Sequence, residues 1–200
     1  MADHTSAVRY GQLDHDFVAS LRSAKDDGPF LMLNLMRYRE WADYGDDRPR
    51  ITGQEADDAY APIEILHELG AQILFFGTVA EQLAGEEGWH RVAVVRYPSV
   101  SSFLDMQERP DFIERHVHKD AGMERTIISL CHPVGGEVGT GQQVLVDLSE
   151  ADAAGPGLHL HVAGTPVGDG RAWRSLRIAA DDVTPSGATA VSVVPLLNLL

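Results

Sequence analysis

One apolar run constrains the fold of this chain more than any other feature. Residues 30–36 are apolar except for Asn34, and such a run is typical of a strand that is covered on both faces. Residues 71–79, 89–97 and 124–131 form three further strand-like segments, and the valines of the second of these favour a strand. The four segments predict a sheet with buried central strands.

Helices are predicted between the first and second strands and between the third and fourth. Residues 52–55 (TGQE) match a capping box, and Gly70 ends the apolar periodicity that follows it. The second helix is predicted from about residue 99 to 120, with a break before Pro110. The order strand, helix, strand, strand, helix, strand predicts an α+β fold of the ferredoxin-like βαββαβ type over residues 29–133.

The remaining residues divide into three segments. Residues 1–28 are predicted as an N-terminal segment, with a flexible start over 1–12 and a short helix over 13–25. Residues 134–141 contain four glycines and indicate a linker. Residues 142–200 are predicted as a β-rich C-terminal segment. A short echo between residues 74–92 and 161–176 leaves two alternatives, a degenerate second repeat or an extension that covers a sheet or a partner.

Composition excludes several classes of protein. Sixteen basic residues against 30 acidic ones give a net charge of −14, which disfavours binding to nucleic acid or to an anionic membrane surface. The single cysteine excludes an internal disulfide. The sequence lacks a long apolar run and a signal-peptide core, so a cytoplasmic location is expected. Nucleotide-binding, nucleophile-elbow and zinc-protease motifs are absent from it.

Residues 29–133 resemble a largely uncharacterised family of the dimeric α/β-barrel superfamily. The resemblance rests on residues 32–35 (MLNL), Tyr60, residues 96–99 (RYPS) and residues 118–126 (HKDAGMERT), where Lys119 replaces the arginine that is common in the family. The superfamily includes EthD-like proteins, muconolactone-type isomerases, aromatic cyclases and cofactor-independent antibiotic-biosynthesis monooxygenases. The resemblance implies the ferredoxin-like fold, and it leaves the reaction open.

In such a fold two helices cover one sheet face, and a second subunit normally covers the other, which predicts a homodimer. Alternation along the first strand separates Leu31, Leu33 and Leu35 from Asn34. We expect the leucines to face the helices and Asn34 to face a cavity.

Three residues are candidates for catalysis. Asn34 is an amide in an apolar strand and could polarise a substrate carbonyl. Tyr60 lies on the inner face of the first helix and could donate a proton. His118 begins the family-like stretch before the last strand and could act as an acid or base near neutral pH. Structural roles for all three are the alternatives.

Five further residues are candidates for substrate binding: Arg37, Trp41, His67, Arg96 and His116. The arginines suit a carboxylate, and Trp41 belongs to a long polar loop over residues 37–51 that could cover a ligand. Although His159 and His161 share a strand face, a third ligand is lacking. Neither a metal nor a cofactor is predicted.

These residues favour a small-molecule enzyme that uses acid/base chemistry in an apolar pocket without an organic cofactor. An isomerase, cyclase or dehydratase would fit, and the resemblance implies a biosynthetic pathway. One alternative is a non-catalytic ligand-binding or scaffold protein. The other is a cofactor-independent monooxygenase, whose substrate would itself activate oxygen.

Overall fold

A computed structural model describes residues 11–23 and 27–200 of the chain, so most of the predicted flexible start lies outside the described residues. The helices are α1 (His15–Ser23), α2 (Gly53–Tyr60), α3 (Ile63–Glu68), α4 (Val100–Glu108) and α5 (Pro110–Gly122). The strands are β1 (Gln12–Leu13), β2 (Phe30–Tyr38), β3 (Gln72–Ala84), β4 (Arg91–Tyr97), β5 (Met123–Gly135), β6 (Val144–Ser149), β7 (Leu158–Gly168), β8 (Ser175–Ala180) and β9 (Thr189–Asn198).

Eight of the strands close into one antiparallel barrel. Their order is β7-β5-β2-β4-β3-β9-β6-β8, and pairing between β7 and β8 completes the circle. The predicted fold class, a ferredoxin-like α/β fold with a β-rich extension, is therefore wrong. Strands from both halves of the chain share a single sheet, because β3 pairs with β9 and β5 pairs with β7.

The two halves of the chain contribute equally to this barrel. The strands of the first half lie side by side in the order β5-β2-β4-β3, and those of the second half in the order β9-β6-β8-β7. If the four strands of each half are numbered one to four along the chain, both orders read four, one, three, two. Helices α2 to α5 connect strands in the first half, whereas residues 150–157 and 181–188 connect them without a helix in the second. The second half thus supplies half of the barrel wall.

The barrel interior is the main hydrophobic core. Leu31, Leu33 and Leu35 of β2 point into it and are at most 6% exposed, together with residues from the other barrel strands. The prediction that these leucines face the helices is wrong, because closure of the barrel makes its interior the larger apolar volume. The second half also covers the sheet face for which a homodimer was predicted, so the homodimer stays a prediction without that support.

The helices pack on the outside of the barrel. Phe30 and Met32 of β2 belong to a second apolar cluster, together with Ile65 of α3, Met106 of α4 and Phe112 of α5. The capping box at the start of α2 is confirmed, since both of its hydrogen bonds are present. The single predicted helix over 52–70 is in fact two helices, because a proline at position 62 interrupts the backbone hydrogen bonding.

A buried ion pair ties together the two helix-free connections of the second half. Asp147 of β6 and Arg177 of β8 are 1% and 2% exposed, and Oδ2 accepts from Nη2 at 2.7 Å. The same guanidinium donates to the carbonyls of Ala154 and Thr184 at 2.7 and 2.8 Å. The backbone N–H of Gly187 donates to Asp147 at 2.7 Å. One pair therefore fixes both loops to the barrel.

Helices α2 and α5 approach each other through two glycines. A Cβ added to Gly122 would overlap the carbonyl oxygen of Gly53 and lie 3.0 Å from the Cβ of Ala56. We expect Gly122→Ala to lower the free energy of unfolding by about 1–3 kcal/mol, because the helices would have to separate. Denaturant unfolding checks this expectation, and an unchanged midpoint would contradict the close approach.

Among the helices of the described residues, none is long and apolar enough to cross a membrane.

Candidate functional site

A cavity of about 650 Å³ lies between the helices and the outer face of the barrel. Strands β2 and β5 form its floor, and α1, α2, α4 and α5 supply walls that include methionine, leucine and aromatic side chains. Its polar lining includes Asn34, Tyr60, His116, Lys119 and Thr126. Charged side chains also line it, namely Arg22, Arg39, Asp120, Glu124 and Arg125. The volume and the mixture of apolar and polar groups suit a site for a small polar-functionalised molecule.

Asn34 faces this cavity from the middle of β2. Its backbone pairs with Ala93 of β4 and Ile128 of β5, so the strand position is fixed on both sides. The side-chain Nδ2 donates to the carbonyl of Met32 at 3.3 Å. Within the described part of the chain, Oδ1 receives no hydrogen bond and can accept one from a ligand. Asn34 thus lines a cavity as expected, although that cavity lies under the helices.

Tyr60 forms part of the cavity wall at the end of α2. Its ring packs edge-on against the rings of Phe112 and His116, with centroids 5.8 Å apart in both cases. Burial raises the pKa of the phenol well above its ordinary value of 10.0. The hydroxyl forms no hydrogen bond with any described residue. A neutral phenol in this position can donate to an oxygen of a bound molecule.

Lys119 is the group that the sequence analysis missed. The residue is only 9% exposed, and its Nζ lies 4.9 Å from the centroid of the Tyr60 ring. Among the described residues it has neither a hydrogen-bond partner nor an ion-pair partner. Burial lowers the pKa of the ammonium from its ordinary value of 10.5, while nearby Asp57 and Asp120 act in the opposite direction. Nζ faces the cavity, where loss of bulk solvent favours the neutral amine and the ring of Tyr60 favours the ammonium.

Asp57, which raises the pKa of Lys119 more than Asp120 does, already has other partners. Its Oδ2 accepts a hydrogen bond from the Tyr38 hydroxyl at 2.7 Å and lies 3.7 Å from the guanidinium of Arg91. Arg91 also pairs with Asp58 at 2.7 Å. Because Asp57 is already engaged with two other partners, it compensates the charge of Lys119 only in part.

Two signals in the sequence could have identified Lys119. It shares a helix face with Phe112, His116 and Met123, at intervals of four, three and four residues, and that face is otherwise buried or half-buried. Lysine is also rare in this chain, which has two lysines and 14 arginines among its 16 basic residues. A lysine on the inner face of an amphipathic helix is therefore unusual here.

The predicted residue His118 lies outside the cavity. Neighbouring positions of a helix are about 100° apart, so His118 and Lys119 point in different directions. The Nδ1 of His118 lies 2.7 Å from the hydroxyl of Tyr44, and the two rings pack edge-on. These contacts attach the long loop over residues 39–52 to α5. His116, by contrast, lines the cavity and pairs with Asp120 at 3.3 Å.

The other predicted binding residues also lie away from the cavity. Arg37 donates to the carbonyl of Glu87 at 2.7 Å and pairs with Glu124 at 3.2 Å. Trp41 is 40% exposed in the long loop, where the guanidinium of Arg50 lies over its ring. The exposed residues His67 and Arg96 do not line it either. Their roles in binding stay predictions that this geometry does not support.

The lowered pKa of Lys119 has a consequence for stability. Between that pKa and 10.5 the unfolded chain holds a proton on Lys119 that the folded chain lacks, so the free energy of unfolding rises with pH. Each unit of difference corresponds to about 1.4 kcal/mol. We expect urea unfolding to show this rise as the pH is raised towards 10.5 in the wild type, and a smaller rise in Lys119→Met. Parallel pH profiles would contradict it.

Two crystal structures of one protein are similar to this chain. The methylated RPA0582 protein is 32% identical, with a TM-score of 0.58 over 63% of this chain and 97% of its own. The RPA0582 protein of unknown function from Rhodopseudomonas palustris gives 30% identity and a TM-score of 0.55 over 60% and 94%. A mutant chlorite dismutase from Candidatus Nitrospira defluvii, at 10% identity and a TM-score of 0.35 over 70% and 60%, is too dissimilar to support an argument.

No family model and no curated protein matches the sequence. The similarity to the Rhodopseudomonas palustris protein nevertheless covers nearly all of that protein, at 30% and 32% identity. The chain therefore belongs to the same family as the RPA0582 protein, whose function is unknown.

Proposed function

We propose that this protein is a small-molecule enzyme that uses acid/base chemistry, without an organic cofactor, in the cavity between α5 and the barrel. The observation that carries the proposal is Lys119, a buried amine that lines the cavity without a described hydrogen-bond or ion-pair partner. Such a group lacks the hydrogen bonds and ion pairs that usually accompany a buried amine, and a reaction can use it.

The polar groups of the cavity suit an enolisable carbonyl compound. Tyr60, which stays neutral because its pKa is raised, donates a hydrogen bond to the carbonyl oxygen. Lys119, whose pKa is lowered, takes a proton from the neighbouring carbon as the neutral amine. Return of that proton to a different carbon isomerises the substrate. The amide of Asn34 accepts or donates a further hydrogen bond that orients it.

The apolar walls favour the same chemistry. They lower the local polarity around a bound carbonyl, which strengthens a hydrogen bond to the developing enolate and favours the neutral form of the amine. A bicyclic aryl ketone is well within the capacity of a cavity of about 650 Å³.

A generic enolisable ketone tests the proposal without knowledge of the natural substrate. We expect the protein to accelerate exchange of the α-hydrogens of 2-tetralone in deuterated buffer, measured by NMR. Tyr60→Phe removes the donor to the carbonyl oxygen and should slow the exchange by about tenfold or more. Glu114→Gln, on the exposed face of the same helix, is the matched control and should leave the rate unchanged.

The outcomes separate the alternatives. Binding of 2-tetralone to the wild-type protein without faster exchange would overturn the enzyme proposal and favour a ligand carrier. Consumption of dissolved oxygen with the same probe would instead favour a cofactor-independent monooxygenase. Absence of both binding and exchange would show that the cavity does not accept molecules of this class.

A further inference from the structure

We propose that Lys119 captures carbonyl compounds covalently, as an imine on its Nζ. The inference rests on the proposed function of the same cavity and names its substrate class, which is an apolar or aromatic aldehyde or ketone. It goes beyond acid/base chemistry because the side chain would form a bond to the substrate.

The choice of basic residue at this position supports the inference. Of the 16 lysines and arginines, 14 are arginines. Apart from one histidine pair, every ion pair among the described residues uses an arginine. A guanidinium remains protonated in proteins and is a poor nucleophile, whereas an amine can lose its proton when it is buried. A role in charge or hydrogen bonding alone would be served as well by arginine. The buried cavity position instead holds one of only two lysines.

The surroundings of Nζ suit imine formation. Lys119 is a buried residue that lines the cavity, and its Nζ lies 4.9 Å from the centroid of the Tyr60 ring. The amine is free of described ion pairs, so in the neutral form its lone pair is available to a bound carbonyl compound. The phenol of Tyr60 supplies the acid/base group that both stages of the reaction require.

In the first stage the amine nitrogen forms a C–N bond to the carbonyl carbon while the C–O π bond breaks. The hydroxyl of Tyr60 relays a proton from the nitrogen to the oxygen, which gives a neutral carbinolamine. In the second stage the nitrogen lone pair forms the C=N bond and the C–O bond breaks. The hydroxide leaves as water with the remaining nitrogen proton, which the same hydroxyl relays. One amine and one carbonyl compound thus yield one imine and one water.

Reductive trapping with benzaldehyde tests this step, since benzaldehyde has no α-hydrogen and so reports imine formation alone. The full-length protein is incubated at neutral pH with benzaldehyde and cyanoborohydride, which reduces an imine to a stable benzylamine. Peptide mass spectrometry then locates the benzyl group. Nα-acetyl-lysine in the same solution provides the rate of an ordinary lysine side chain. We expect benzylation of Lys119 to exceed that of the reference by at least about tenfold, because an ordinary lysine is mostly protonated near pH 7.

Two further measurements make the result specific to the cavity. An excess of 2-tetralone should protect Lys119, and Tyr60→Phe should slow its benzylation, while the rate of Nα-acetyl-lysine in the same solution stays unchanged in both experiments. Benzylation of Lys119 no faster than the reference would overturn the inference.

The two proposals fail in different ways. Exchange of α-hydrogens without trapping would leave the acid/base proposal standing and exclude the imine. Trapping without exchange would support the imine and contradict the acid/base proposal.

Discussion

Replacing Lys119 with methionine is expected to lower the rate of α-hydrogen exchange in 2-tetralone by about 10²- to 10⁴-fold, the usual contribution of a general base. Methionine has a similar length and suits an apolar wall, so the cavity should persist. Because the variant removes an unpaired buried amine, its free energy of unfolding at neutral pH should be equal to or higher than that of the wild type.

The combination of these two results is informative. A residue with only a structural role would lose stability and activity together, whereas a catalytic amine loses activity alone. Lys119→Arg should be inactive as well, since a guanidinium keeps its proton at neutral pH. Wild-type exchange in Lys119→Met, with Glu114→Gln as the reference variant, would contradict the assignment.

The second large effect concerns the buried pair of Asp147 and Arg177. We expect Asp147→Asn to lower the free energy of unfolding by about 3–5 kcal/mol, because it leaves a buried guanidinium without its counter-charge. Arg177 already has one buried nitrogen, Nε, without a described hydrogen-bond partner. The substitution would also loosen residues 181–188, which the carboxylate holds through two backbone N–H groups. Denaturant unfolding measures the loss.

The chain offers a matched control for this substitution. Asp152 accepts a hydrogen bond from Arg174 at 2.8 Å, but both side chains are exposed, at 80% and 61%. Asp152→Asn should therefore change the free energy of unfolding by less than about 1 kcal/mol. Equal effects of the two substitutions would show that the pair of Asp147 and Arg177 does not fix the second half of the barrel.

The sequence predicts the elements of this protein better than their assembly. Apolar periodicity and the capping box at Thr52 are local signals, and they locate the central strands and the helix starts. Barrel closure depends on pairing of β3 with β9 and of β5 with β7, between residues that are far apart along the chain. Alternation alone separates the faces of β2 without indicating which one becomes the interior. The leucines of β2 were therefore assigned to the wrong side.

Prediction of the site residues also fails where the role of a residue depends on its surroundings in the folded chain. Asn34, Tyr60 and His116 were predicted from their residue type and spacing, and all three line the cavity. His118 was chosen because histidine titrates near neutral pH, yet its ring contacts Tyr44 instead. Lysine is ordinarily a surface residue, so the helix face and the rarity of lysine indicate Lys119 only weakly. Its lack of a described hydrogen-bond or ion-pair partner depends on the folded surroundings.

The central claim is that Lys119 is a neutral amine in the cavity, and a lysine-selective NMR titration tests it most directly. With ¹³C-labelled lysine the protein gives only two Cε signals, since the chain has two lysines. We predict that the signal that is absent from Lys119→Arg titrates below the ordinary pKa of 10.5 in the wild type. Titration of that signal at 10.5 or above would contradict the claim.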